Sequence, residues 1–339
     1  MIVADRRGRP LRALRVSVTD RCNLRCRYCM PEEDYAWLGS DALLSFEEIA
    51  RLVDRFVATG VDAVRITGGE PLVRRELPTL IQKLSWLRDL SLTTNGVLLA
   101  AQAESLRRAG LHRITVSLDT LSPKRFHALT RRDTHAQVLE GIAAARHAAF
   151  PGGLKLDTVL MRGLNDDEIP ALLDYAATVG AELRFIEYMD VGGATQWSMA
   201  QVVTRRQVLD AVRKAFGSVE PVASTTHAPA ERFQLTDGRT FGVISSTTRP
   251  FCGTCDRSRL TADGTWFTCL YATAGVDLKA LIRSNIPHEA IETLLRSTWE
   301  RRLDRGAEDR LALHDARGPL FTAAELRDHP HHEMHTRGG

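Results

Sequence analysis

The segment Cys22-Asn23-Leu24-Arg25-Cys26-Arg27-Tyr28-Cys29 limits what this chain can be more than any other stretch. Three thiols spaced three and then two residues apart form a loop too tight for mutual disulfides. Three thiolates aimed inward suit a cubane iron–sulfur cluster, and because a full [4Fe–4S] cluster has four irons, one would stay open for a substrate or cofactor. A random chain of this cysteine content would contain C-x3-C-x2-C roughly twice in a thousand cases. The alternative is structural zinc, but zinc prefers four closed ligands, and the nearest downstream histidine is His112.

All six cysteines fall into two groups, Cys22, Cys26, Cys29 and Cys252, Cys255, Cys269. None is spare, as two metal sites require. Met1-Ile-Val-Ala-Asp-Arg-Arg lacks an apolar signal core, and no run of about 18 apolar residues exists. The expectation is a cytoplasmic chain without a membrane span, in which cysteines bind metal or do chemistry. A net charge of +3 over 339 residues does not argue for nucleic acid. Lysine occurs only at positions 83, 124, 155, 214 and 279 among 45 basic residues. A single arginine therefore carries little weight here, whereas a lysine opening a strand stands out.

Residues 11–19 alternate and are rich in β-formers, predicting a strand that runs into the cysteine loop. Ser45 and Glu48 form a capping box, and Ile49, Leu52, Val53, Phe56 and Val57 follow helical spacing up to Gly60. Further strands are predicted at Ala63–Thr67, Leu90–Thr94, Arg113–Leu118, Leu154–Leu160 and Glu182–Tyr188. Helices are predicted near 75–86, 98–109, 135–148 and 166–179. This alternation argues for a parallel α/β sheet. No G-x-G-x-x-G follows the first strand, which weakens a Rossmann reading. An open, partial (β/α)6 TIM-type barrel fits better, because the notable polar residues gather at strand C-terminal ends, the face where barrel enzymes do chemistry. Those ends are the cysteine loop, Gly68-Gly69-Glu70, Thr93-Thr94-Asn95-Gly96, Ser117-Leu118-Asp119 and Glu187-Tyr188-Met189-Asp190.

Composition changes near Asp190, so residues 1–190 read as the barrel and 191–339 as an α+β extension carrying the second triad. Within the extension, a helix is expected at 203–216, a loop at 218–231, short β segments at 232–236 and 240–245, a hairpin turning at Asp263-Gly264, helices near 276–284 and 288–304, and a weakly structured tail. C-x2-C alone is a poor signal. Cys269, beyond the hairpin, turns Cys252 and Cys255 into a three-thiolate set suited to a second cluster, with zinc as the alternative. Arg257 and Arg259 share one face of a strand between these cysteines, as an anionic substrate would require. His329, His331, His332 and His335 read as an exposed polar tail.

The cysteine loop with Tyr28 before its last cysteine, and Gly68-Gly69-Glu70, resemble the radical S-adenosylmethionine (SAM) superfamily. The match is closer to one family within it, the GTP 3',8-cyclases of molybdenum cofactor biosynthesis. It rests on Arg65-Ile-Thr-Gly-Gly-Glu-Pro71, Thr93-Thr-Asn-Gly96, Val116-Ser-Leu-Asp119, Leu183-Arg-Phe-Ile-Glu-Tyr-Met189, the second triad enclosing Arg257 and Arg259, and terminal Gly338-Gly339. Arg337 stands where the family commonly has an apolar residue.

The resemblance implies a lyase-type enzyme with two [4Fe–4S] clusters and SAM. It would convert GTP to (8S)-3',8-cyclo-7,8-dihydroguanosine 5'-triphosphate, the first step towards molybdopterin. Metal ligands would be Cys22, Cys26, Cys29, Cys252, Cys255 and Cys269. SAM contacts would be Tyr28, Gly69, Ser117 and Met189. GTP contacts would be Arg15, Arg65, Thr93, Lys155, Arg257, Ser258 and Arg259. Arg257, Arg259, Gly338 and Gly339 would act in catalysis. Implied partners are a reductant, a cyclic pyranopterin monophosphate synthase that receives the product, and a second copy in a homodimer, with no nucleic acid and no membrane. Two other readings are a radical SAM peptide-modifying maturase, which usually carries more C-terminal cysteines, and a zinc-binding interaction module.

Overall fold

The computed structural model describes residues 2–223, 227–284 and 286–338. Six parallel strands follow one another across the sheet: β1 (Ala13–Ser17), β2 (Ala63–Thr67), β3 (Asp89–Thr94), β4 (Arg113–Ser117), β5 (Leu154–Leu160) and β6 (Glu182–Glu187). Between them run α1 (Phe46–Ala58), α2 (Leu77–Lys83), α3 (Ala103–Arg108), α4 (Pro123–Thr130), α5 (His135–Ala148) and α6 (Ile169–Thr178). The capping box at Ser45 forms as expected, with Glu48 N–H donating to Ser45 Oγ at 3.1 Å and Ser45 N–H to Glu48 Oε2 at 2.7 Å. Such a cap contributes about 1 kcal/mol. Helix α4 was not anticipated, although Ser122 caps it and proline stands at its start.

Alternation along the strands separates two environments. Leu14, Val16, Val64, Ile66, Leu90, Leu92, Ile114, Val116, Leu156 and Leu183 are buried in one cluster with Leu52, Phe56, Ile81, Leu106, Ile142 and Leu172 of the helices. Each such side chain contributes roughly 1.5–3 kcal/mol through burial. The opposite face is polar: Arg15 is in register with Arg65, Arg65 with Ser91, Thr115 with Lys155, and Asp157 with Arg184. Arg15 nevertheless feels the charges of Asp157 and Arg184. In a flat sheet β5 would lie about 19 Å from β1. The sheet therefore curls, and its polar face lines a lumen.

The chain beyond Asp190 extends this sheet at both edges. After α7 (Arg205–Phe216), β7 (Val219–Val222), β8 (Glu231–Leu235) and β9 (Thr240–Ile244) form an antiparallel arm whose β9 lies parallel to β6. Strand β10 (Arg257–Leu260) lies parallel to β1 and carries the hairpin to β11 (Thr265–Phe267) and β12 (Val276–Asp277). The stretch 218–231, read as a loop, thus opens with a strand. Its Val-Glu-Pro-Val sequence hides the fact, since proline fits only an edge strand. Helices α8 (Leu278–Arg283) and α9 (His288–Glu300) follow, the former shortened because 276–277 is strand.

The tail is not weakly structured. It forms α10 (Gly306–Leu311), α11 (Ala323–Asp328) and α12 (Met334–Arg337). A second capping box, Thr322 with Glu325, starts α11. The histidine cluster is only in part an exposed polar tail: His329 is exposed and His331 and His332 are half-buried, but His335 is buried, with its ring 5.2 Å from Tyr35 and 5.5 Å from Trp37. Burial, reinforced by Arg25, holds its pKa down to about 3, so it packs as a neutral ring.

Candidate active site

The cysteine loop is held from several sides. Arg25 and Arg27 N–H groups donate to Thr130 and Leu129 at the end of α4, at 3.0 and 2.9 Å. Asn95, just past β3, donates to Cys22 Sγ at 3.9 Å and to Asn23 Oδ1 at 2.7 Å. A Cβ on Gly193 would collide with the Cys29 carbonyl oxygen, so the loop after β6 passes directly over the cysteines. All six cysteines are free thiols. Burial, with Cys22 and Glu333 nearby, pushes the Cys29 thiol far up, and burial with neighbouring Cys22 and Asp119 does the same to Cys26. A half-buried set of three thiols, with Arg25 beside Cys22 as a single nearby cation, suits a metal cluster that supplies further positive charge.

Gly68-Gly69-Glu70 braces this loop. The N–H groups of Gly69 and Glu70 donate to the carbonyls of Thr19 and Arg21, both at 2.8 Å. The Glu70 carbonyl accepts from Val73 N–H at 3.1 Å, and the carbonyls of Gly68 and Gly69 are acceptors suited to an amino group. Glu70 is buried and accepts from Leu72 N–H at 3.0 Å, Thr94 Oγ1–H at 2.7 Å and Asn95 N–H at 2.7 Å. Burial raises it to about 7 against these donors. A Cβ at position 69 would lie 2.5 Å from the Asp20 and Arg21 carbonyl oxygens. Gly69→Ala must therefore displace the cysteine loop, and 5'-deoxyadenosine formation from SAM is expected to fall at least about tenfold. Quantifying that product by chromatography checks it, and an unchanged rate would refute the bracing role.

The other residues expected to meet SAM lie on the same rim. Tyr28 donates its hydroxyl to Asp119 Oδ2 at 2.7 Å. Ser117 and Met189 are half-buried at the ends of β4 and β6. Asp119, at the end of β4, also accepts from Val159 N–H at 2.9 Å, a role that its place in Val116-Ser-Leu-Asp119 does not reveal. Glu187 is a similar case, accepting from Arg205, Thr247 and Thr248 N–H groups at 2.8–3.0 Å.

Cations crowd the lumen. Arg15 lies in register with Arg65 on one side and Arg259 on the other. Burial and repulsion from Arg259 and Arg257 push the Arg15 pKa down, and burial with Arg15 and Arg184 does the same to Arg65. Arg65 donates to Thr93 Oγ1 at 3.2 Å. Lys155 is paired with Glu182 at 3.0 Å and Arg184 with Asp157 at 2.7 Å. Among the described residues, Arg15, Arg65, Arg257 and Arg259 have no carboxylate partner. Ser258 stands apart from this group, since β alternation turns its buried hydroxyl to the opposite face.

The second triad receives amide donors from a helix that sequence reasoning missed. The Tyr271 N–H donates to the Cys269 sulfur at 3.5 Å, and the nearby backbone amides of Ala307 and Glu308 in α10 favour the Cys252 thiolate as that of Gly306 favours Cys269, against burial. Burial opposes ionisation of Cys255, but Arg257 and Arg302 outweigh it and bring the thiol to about 7. Arg302, itself buried against Asp5, donates to the Cys255 carbonyl at 2.9 Å. Gly338 brings the C-terminus here, its carbonyl accepting from Arg259. Gly339 lies outside the described residues.

Comparison with known proteins gives the family. The radical SAM superfamily profile matches residues 16–176, and the Molybdenum Cofactor Synthesis C profile matches residues 181–307. A Mycobacterium tuberculosis protein named GTP 3',8-cyclase 1 is 52% identical, with 99% of this chain and 95% of that protein covered. GTP 3',8-cyclases of Streptomyces coelicolor and Xanthomonas axonopodis pv. citri are 47% and 46% identical, covering 91% of this chain and 92% and 94% of their own lengths. Among solved structures, Streptococcus suis SuiB bound to S-adenosylmethionine superposes with a TM-score of 0.63 at 14% identity, over 91% of this chain and 69% of that one, which supports the fold alone. No helix among the described residues is long and apolar enough to cross a membrane. By full-length identity and by the site its strands assemble, the chain belongs to the GTP 3',8-cyclase family of the radical SAM superfamily.

Proposed function

We propose that the lumen binds GTP through its triphosphate and presents the nucleotide between the two cysteine triads for 3',8-cyclisation. The four lumen guanidiniums that have no carboxylate partner among the described residues carry this reading. A triphosphate of roughly four negative charges needs such a cradle, and arginine supplies it with paired N–H donors. Cys22, Cys26 and Cys29 would hold a [4Fe–4S] cluster, the group their family uses, which with SAM bound would supply a 5'-deoxyadenosyl radical.

The chain's own residues do the rest. The carbonyls of Gly68 and Gly69 accept from the SAM amino group. Arg15, Arg65, Arg257 and Arg259 hold the phosphates, with Thr93 and Lys155 beside them. The curled sheet encloses the ribose in a site from which bulk water is excluded. Residues 1–190 form the radical-generating unit, and 191–339 complete the substrate side.

A second cluster on Cys252, Cys255 and Cys269 is supported by the amide groups beside the Cys252 and Cys269 sulfurs, since N–H···S bonds favour cluster thiolates. Anaerobic analysis is expected to find about eight iron and eight sulfide per chain, falling to about four when Cys252, Cys255 and Cys269 are all replaced by serine. Stoichiometric zinc would overturn the second cluster. An external reductant supplies electrons, and a cyclic pyranopterin monophosphate synthase takes the product.

The test is to incubate reduced protein with SAM and GTP. Cyclised nucleotide together with 5'-deoxyadenosine is the expected outcome; deoxyadenosine release indifferent to GTP, with no cyclised nucleotide, would sink the proposal.

A further inference from the structure

Chain ends ordinarily fray, yet Arg337, two residues from this one, is buried at 1% exposure. Its guanidinium uses three edges at once. Nε donates to the His331 carbonyl at 2.7 Å, Nη1 to Leu270 at 2.6 Å and Nη2 to Ala272 at 2.7 Å. The plane rests on the Phe267 ring, 4.2 Å from its centroid. Leu270 and Ala272 flank Tyr271 in the turn that leaves Cys269, and Phe267 is the register partner of Arg259. Arg337 therefore grips the loop of the second triad with one side chain.

The residue that follows is placed accordingly. Gly338 has φ +76, a conformation open to glycine at no steric cost. Its N–H donates to Met334 at 2.9 Å and its carbonyl accepts from Arg259. A Cβ there would run into Thr67 at the end of β2. Gly338 is thus wedged between β2 and β10 at the mouth of the cationic lumen. Further anchors lie upstream, His335 against Tyr35 and Trp37, Met334 against Gly192, His331 beside Asp263 at 3.3 Å, and His332 Nε2 with the Thr273 carbonyl at 3.0 Å. His332 meets the end of the Cys269 loop at one carbonyl, whereas Arg337 holds two carbonyls within it and lies next to Gly338.

We infer that Arg337 is a positioning residue that latches the C-terminus to the Cys269 loop and so sets the Gly338 carbonyl on Arg259, closing the lumen over its substrate. An apolar side chain at this position would lack donors for the three carbonyls. Here a guanidinium joins the tail to the β10–β11 hairpin, so the last residues move with the substrate-binding strand. The closing role rests on the GTP reading above; the latch itself does not.

The experiment compares Arg337→Ala and Arg337→Lys with the wild-type holoenzyme by two readouts. Hydrogen exchange followed by mass spectrometry needs no nucleotide. The C-terminal peptide of Arg337→Ala should exchange at least about tenfold faster, because loss of charge-assisted hydrogen bonds releases the segment locally. Lysine, with one compact charge and no planar stack, should restore only part of the protection. In turnover, Arg337→Ala should make at least about tenfold less cyclised nucleotide per 5'-deoxyadenosine released, since an open lumen lets the radical be quenched. A merely structural role would lower both products together.

Wild-type exchange in Arg337→Ala would overturn the latch, and an unchanged product ratio would overturn its closing role. Should that variant fail to fold, Phe267→Leu keeps the charge and removes its platform, and the same two readouts must shift in the same directions or the inference fails. Wild-type protein that forms no cyclised nucleotide would instead refute the GTP reading, leaving the exchange result to stand separately.

Discussion

Arg259→Ala is expected to lose cyclised nucleotide while still releasing 5'-deoxyadenosine from SAM. Arg259 sits in register with Arg15 on β1, is almost fully buried, and faces no carboxylate among the described residues. Burial, with Arg257 and Arg337 close by, pulls its pKa down to about 9, and an arriving phosphate relieves that repulsion. Removing a desolvated guanidinium costs about 3 kcal/mol, roughly a hundredfold in GTP affinity. Among the described residues no hydrogen bond or ion pair joins Arg259 to Cys22, Cys26 or Cys29, so radical formation should persist. Arg257→Ala should behave less cleanly, because Arg257 also donates to Cys255 Sγ at 3.7 Å and lies over Phe251. Binding titrations and product analysis on both variants check this. Retained GTP affinity in Arg259→Ala would remove the cradle from the mechanism.

The other large effect is expected at Asp190, where β6 hands over to the C-terminal region. Its fully buried carboxylate accepts from Arg317 at 2.8 and 2.9 Å, Arg310 at 2.7 Å and the Tyr271 hydroxyl at 3.0 Å. Burial alone would raise its pKa, but Arg317 and Arg310 outweigh burial and hold it below the ordinary 3.8. The stability it brings is complete above that value and is lost as pH falls through the depressed one. Asp190→Ala leaves two guanidiniums without their acid, and breaking such a set costs about 3–5 kcal/mol. Chemical denaturation of the holoenzyme measures it. A loss under about 1 kcal/mol would show that the arginines find other acceptors.

Much of the barrel can be read from residue patterns. Ala63–Thr67 and Leu154–Leu160 form strands with the bounds their alternation predicts. The same rule that located α1 from Ser45 and Glu48 would have located α11 from Thr322 and Glu325, so that omission was avoidable. Val219–Val222 is different, because its partner across the arm, not its own composition, makes it a strand. The site divides likewise. Strand ends named the rim residues, but no local pattern places Arg259 beside Arg15 or the amides of Gly306, Ala307 and Glu308 beside distant sulfurs. Those juxtapositions depend on register between remote segments, which periodicity does not encode.

The first strand's neighbours have a consequence for how the enzyme is made. On one side β1 pairs with β2, which follows it closely; on the other it pairs with β10, synthesised only after most of the chain. Until then β1 presents a bare edge of unpaired amides and carbonyls, the kind of surface that recruits other chains. Closing it requires a contact between distant parts of the chain, which is slow. The radical-forming loop leaves the ribosome early yet acquires its permanent neighbour late, together with the strand flanked by Cys255 and Cys269. Maturation of the first triad's surroundings is thereby tied to arrival of the second, and a nascent chain stalled between them would be half-walled and adhesive.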